Sequence, residues 1–167
     1  YLNANGQDWH DNPIRFAALS LMGAQLAWGE YPELHYQPDA MHVHDWQTAL
    51  APVYLHYLGK GKHHPKTIIT IHNLAFQGQF SAELFPRLGL PAWAFSTEGL
   101  EYYGCVGYLK AGILFSDEIT TVSPSYAHEI TTVNGGMGMD GLLRALHGRL
   151  SGIVNGIDTE VWNTANE

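Results

Sequence analysis

The run His42-Val43-His44-Asp45 puts two imidazoles and a carboxylate within four residues. Side chains alternate between the faces of a strand, so His42 and His44 share one face and Asp45 falls where the strand ends. Three chemistries are open to such a group. An H-x-H pair beside an aspartate could hold a metal, as in a metal-dependent hydrolase using His42, His44 and Asp45. The group could also be purely structural, or Asp45 could face a substrate. A hydrolytic metal site of this type needs a further ligand directly after the Asp motif, and here Trp46-Gln47 stands instead. The chain's ten histidines, His63-His64 among them, keep the metal reading in play.

A second group, His72-Asn73, directly follows the apolar β-branched run KTIITI, Lys66 to Ile71. Residues at the end of a buried strand sit on a rigid element and face a crevice rather than the core. The motif continues as HNLAFQG, through Gln77 and Gly78. Neutral donors and acceptors gathered at one crevice suit sugar hydroxyls, which need paired hydrogen bonds without net charge. A strand-end histidine with its bonds satisfied locally is the plainer alternative.

The elements that must carry these residues follow from periodicity. Asn12-Pro13 reads as an N-cap and first helical position, with apolar residues at helical spacing to about Trp28. Ala40 to His44 is a short strand. Thr48 to Leu58 is helical in pattern, provided Pro52 lies in the first turn. Lys66 to Ile71 reads as a central parallel strand buried on both faces. Phe80 to Trp93 is loop or short helix, Val106 to Phe115 a helix, and Glu118 to Val122 the next strand. Ser123-Pro124 opens a helix to about Thr131, Asp140 to His147 forms another, and Leu150 to Val154 is a last strand before Asn155-Gly156. Strands alternating with helices imply an α/β fold of right-handed βαβ units around a parallel sheet, with ligands gathered at the carboxyl edge of the strands.

Composition bounds the partners. Sixteen acidic against eight basic residues give a net charge of −8, which opposes nucleic acid and anionic membrane surfaces. Aromatic residues make up 12% of the chain; Trp9, Trp46, Tyr102, Tyr103 and Tyr108 are candidates either for the core or for platforms on which sugar rings pack. A lone cysteine, Cys105, excludes an intrachain disulfide framework and fits a reducing, cytoplasmic compartment. No apolar run has the length of a membrane span. No G-x-S-x-G elbow is present, and Gly135-Gly136-Met137-Gly138 matches neither the phosphate-binding nor the dinucleotide fingerprint, so it is expected to be a flexible surface loop. At 167 residues the chain is expected to form one domain, and its polar start without Met suggests part of a longer protein.

The strings HVHDWQTALAP, TIHNLAFQG, EYYGCVGYLKAGILFSDEITTVSPSYAHEI, GMDGLLR and LSGIVNGID with Trp162 stand in this order from about Asp11 onwards. Together they resemble the bacterial glycogen synthases and plant starch synthases. The resemblance implies a retaining glucosyltransferase of two Rossmann-like domains facing each other across a cleft, the GT-B architecture. It would transfer glucose from ADP-glucose to the non-reducing end of an α-1,4-glucan, without metal or cofactor. It further implies that His72 lies beside the transferred glucose, that Asn73 shares its loop, and that Asp45 sits near the reaction centre with Trp46 packed beside it. Trp46, Gln77 and Trp9 make up the expected substrate-binding set. The family's first strand, with its nucleotide-sugar loop, is expected to precede Tyr1, residues 155–167 to run toward the interdomain hinge, and the nucleotide-binding C-terminal domain to follow. On that expectation the segment would be inactive alone, and a non-catalytic glucan-binding module is the second reading.

Overall fold

The computed structural model describes residues 1–163. Its centre is a parallel sheet in the order β1-β2-β6-β7, formed by Ala40–His44, Lys66–Ile71, Glu118–Thr121 and Leu150–Gly152. The register pairs His44 with Thr70 and Ile71 with Thr121, so β1, β2 and β6 end at one rim. β2 is central as its apolar run requires: Ile69 and Ile71 have no exposed surface. The fold class is the α/β parallel sheet that periodicity predicts.

Helix α1, Asn12–Ala27, packs on α3, Leu50–Leu58, which packs in turn on α4, Tyr108–Phe115. Close approach of α4 has a sequence cause. A Cβ on Gly112 would stand 2.7 Å from Ala49 Cβ and 2.9 Å from Ile69 Cδ1, so only glycine lets this helix reach the sheet. Two buried tyrosines lock outer segments to this layer: Tyr54 Oη donates to the Leu88 carbonyl at 2.9 Å, and Tyr108 Oη to that of Pro13 at 3.0 Å. Burial pushes the Tyr54 phenol up to about 12.

Several expected boundaries shift. Asn12 is the first helical residue rather than the cap; it is buried, donates to the Tyr1 carbonyl and accepts from Arg15. The helix expected from Thr48 is two pieces, α2 at Asp45–Thr48 and α3, and Pro52 is accordingly tolerated as the third residue of α3, where its missing N–H has no intrahelical acceptor. The helix expected from Val106 begins at Tyr108, because Cys105–Gly107 is strand β5. That strand is the middle of a small antiparallel sheet, β3-β5-β4, with Gln79–Ser81 and Glu101–Tyr102. The last two helices are short: α5 is Pro124–Glu129 and α6 is Asp140–Ala145.

The glycine run 135–138, expected as a flexible loop, is a hydrogen-bonded turn. The Gly136 N–H donates to Thr132 O at 2.8 Å, that of Met139 to Gly136 O at 2.7 Å, and Gly136 is buried against Asp140. No described helix is long and apolar enough to cross a membrane. The segment 155–167, expected to run toward an interdomain hinge, ends beyond the described residues; through Asn163 it forms a turn and no regular helix or strand.

Candidate active site at the sheet rim

β1 ends at His44, and the chain turns sharply into α2 through Asp45, whose φ of 51° is in the left-handed region. Aspartate is among the few non-glycine residues that tolerate that conformation. The turn aims the carboxylate across to β2: the backbone N–H of His72 donates to Asp45 Oδ1 at 2.8 Å. One residue further along each of two neighbouring strands, the Asp45 carboxylate thus meets the backbone of His72 at the rim. Thr48 fastens the same corner, accepting from the His44 N–H at 2.7 Å and donating to the His44 carbonyl at 2.8 Å.

After His72 the chain is held by its own side chains. Asn73 Oδ1 accepts from the Ala75 N–H at 3.0 Å, and the Leu74 N–H donates to Tyr126 Oη at 2.9 Å. Tyr126 is in turn placed by Ser123, which caps α5 by accepting from the Tyr126 N–H. His72 and Asn73 themselves remain exposed and Asp45 half-buried, open to a ligand from the cleft side. Gln77 donates from Nε2 to the Met137 carbonyl at 3.0 Å, which joins this loop to the glycine turn.

Trp46 is only 5% exposed and lies in an aromatic cluster with Phe16, Phe80, Tyr108 and Tyr1. It supports the rim from beneath. Gly78, with φ of 60°, lies flat on its indole; a Cβ there would stand 2.7 Å from Trp46 Cε3, which explains the glycine closing HNLAFQG. Trp9 is 44% exposed, its indole N–H bonded to the Leu2 carbonyl at 3.2 Å. The hollow beside Asp45 is lined by Tyr1, Gln47 and Phe76 and does not include Trp9. Tyr1, Gln47 and Phe76 were not singled out by sequence; Phe76, 59% exposed within HNLAFQG, was the one with a signal, a large aromatic inside a motif of polar groups.

The face below the rim carries the histidines. His42 Nε2 lies 2.6 Å from Thr70 Oγ1, which lies 2.6 Å from Thr120 Oγ1. His42 and His44 stack with ring centroids 4.3 Å apart, and His44 Nδ1 lies 3.0 Å from His72 Nε2. A metal reading needs the nitrogens of His42 and His44 to converge with Asp45. Here the three groups are turned to a threonine, a second imidazole and a backbone N–H, and no set of three such ligands is grouped for a metal among the described residues.

Burial, then the nearby imidazoles of His42 and His72, hold the His44 ring below its ordinary value of 6.5; burial and His64 do the same to His56. The fold therefore favours the neutral rings. Their contribution to stability is full above pH 6.5 and is lost as pH falls through that value toward the lower folded one, because the unfolded chain binds more protons there. Chemical denaturation is expected to show stability declining between about pH 7 and pH 5, and His44→Phe and His56→Phe together should flatten that decline. A profile equally steep in the double variant would refute the assignment. Burial pushes the Asp117 carboxylate up, but hydrogen bonds from Thr67, with Lys66 nearby, together hold it below 3.8, so it acts only in more acid solution.

Residues 1–145 match the starch synthase catalytic domain. The chain belongs to that family. Glycogen synthases of Rhodopseudomonas palustris and Methylocella silvestris are 59% and 56% identical over 167 residues, in each case 100% of this chain and 34% of the relative. The chain thus spans about a third of the length of the curated relatives it matches. The catalytic domain of starch synthase IV from Arabidopsis thaliana, solved bound to ADP and acarbose, superposes with a TM-score of 0.82 at 33% identity, over 95% of this chain and 32% of that one. The starch synthase family relationship therefore covers the whole rim: Asp45, His72, Asn73 and Gln77 all lie within the matched residues.

Proposed function

We propose that this chain supplies the glucan-facing wall of a glycogen or starch synthase, a retaining transferase of GT-B architecture that moves glucose from ADP-glucose to the non-reducing end of an α-1,4-glucan. The observation that carries the reading is the 2.8 Å bond from the His72 N–H to Asp45 Oδ1, which holds a carboxylate and an imidazole at one rim of the sheet. On this reading the His72 ring and the loop of Asn73 hydrogen-bond the glucosyl unit, and the Asp45 charge offsets the positive charge that develops as the donor bond breaks. Fixed charges and dipoles of this kind act strongly because they are already oriented when the reaction occurs. Gln77 positions the loop, Trp46 braces the turn from below, and Trp9 meets the acceptor outside the hollow beside Asp45. The reading calls on no metal, and it implies a bacterial, cytoplasmic enzyme.

One wall of a cleft does not assemble a donor site. The isolated chain, incubated with ADP-glucose and glycogen, is expected to incorporate no glucose above the protein-free rate. The same 167 residues, exchanged for the matching third of the Rhodopseudomonas palustris glycogen synthase, are expected to restore incorporation. A folded chimaera without transfer would refute the proposal, as would turnover by the isolated chain.

A further inference from the structure

The rim holds a contact that the proposed reaction does not use. His44 Nδ1 and His72 Nε2 are 3.0 Å apart, a hydrogen-bond distance between two ring nitrogens, so one proton lies between them. Which ring supplies it decides what His72 has left to offer.

His42 does not compete for that proton. His42 Nε2 is instead engaged with Thr70 Oγ1 at 2.6 Å, and Thr70 Oγ1 lies 2.6 Å from Thr120 Oγ1. His42 meets His44 only face to face, leaving His72 as the partner of His44 Nδ1. The remaining charged neighbour is Asp45, with Oδ1 2.8 Å from the backbone nitrogen of His72. Of the two ring nitrogens of His72, Nδ1 is the nearer to that backbone, and a negative charge there favours the proton on Nδ1. Nε2 must then accept. Thr70, Thr120 and Asn155, which line the cleft beside these rings, carry no charge.

We infer that His44 is a positioning residue for His72: it donates Nδ1–H to His72 Nε2, fixes the ring as the Nδ1–H tautomer, and leaves the nitrogen available to a ligand as a donor. The partner of one imidazole nitrogen sets the state of the other. Such a donor fits the lone pairs of a sugar hydroxyl, and this use rests on the proposal that His72 faces a glucosyl unit.

The tautomer is read without any ligand, by long-range proton–nitrogen correlation on the ¹⁵N-labelled 167-residue chain at a pH where both rings are neutral. His72 is expected to be predominantly Nδ1–H, with a scalar coupling across the hydrogen bond between His44 Nδ1 and His72 Nε2. His44→Asn, whose side-chain amide donates from the position of Nδ1, is expected to keep that tautomer. His44→Asp, which can only accept, is expected to invert it to predominantly Nε2–H, and His44→Phe to leave a mixture. A predominantly Nε2–H His72 in the unaltered chain, the absence of the coupling, or a tautomer indifferent to Asn and Asp would each overturn the inference. The unaltered chain decides by itself if a variant does not fold. Because no transfer is measured, failure here leaves the glucan reading standing, and an inactive chimaera would leave the tautomer assignment standing.

Discussion

Replacing Lys110 by methionine is expected to lower the unfolding free energy of the chain by about 3 kcal/mol, because it strands one buried and two part-buried carbonyl oxygens. Lys110 is 6% exposed, and its ammonium donates to the carbonyls of Thr97 at 2.5 Å, Gly99 at 2.7 Å and Glu101 at 2.9 Å. Among the described residues no carboxylate pairs with it directly. Burial is the largest influence on its proton affinity and pulls it below 10.5, with Glu101 and Glu98 acting weakly in the other direction. The ammonium is therefore kept in the fold at an electrostatic cost, which the carbonyl bonds offset. Each carbonyl left without a donor costs about 1–3 kcal/mol, and the losses are not additive because the loop relaxes. Methionine fills the stem volume, so a cavity is not the cause of the loss. A fall in stability below about 1 kcal/mol in chemical denaturation would show that the loop satisfies those carbonyls some other way.

The effect should also reach the rim. Lys110 fastens the segment that leads into Tyr102 and Tyr103, and Gln79 Nε2 donates to the Tyr102 carbonyl at 3.3 Å from the strand that follows the His72 loop. A loosened 97–101 segment therefore loosens β4, which pairs with β5 at the start of α4.

What could be read from sequence divides along the length of the pattern. α1 and β2 announce themselves because each repeats a period often enough to be unambiguous: three or more turns of apolar spacing in one, an unbroken β-branched run in the other. The rim was legible for the same reason. Once β1 and β2 are parallel neighbours, Asp45 and His72 must emerge together, and the register His44 to Thr70 brings them there. The sheet β3-β5-β4 was not legible, because strands of three, three and two residues display no alternation. Trp46 shows the other limit. A tryptophan beside a catalytic-looking aspartate reads equally well as platform or core, and only the left-handed turn at Asp45, which sends carboxylate and indole in different directions, separates them. The contact of His44 with His72 lay hidden too, since ring orientation is not a property of spacing.

Asp45→Asn in the chimaera is expected to lower kcat for glucose transfer by about 10²–10³, with KM for glycogen little changed. The substitution isolates the charge. Asparagine matches aspartate in shape, tolerates the φ of 51° at this turn, and its amide oxygen still accepts from the His72 N–H. The denaturation midpoint should therefore stay near that of the unaltered protein. On the proposed function, what is lost is a negative charge fixed where positive charge develops during bond breaking, and an interaction made chiefly in the transition state appears in kcat rather than in KM. Asp45→Ala would confound this, since alanine pays for the left-handed backbone and leaves the His72 N–H without its acceptor. His72→Ala is expected to lower kcat as well, and the double variant to lose less than the product of the two single losses, because on the proposed function both side chains act on the same glucosyl unit in the transition state. An Asp45→Asn protein that folds normally and transfers glucose at the unaltered rate would mean that the carboxylate serves only to shape the turn.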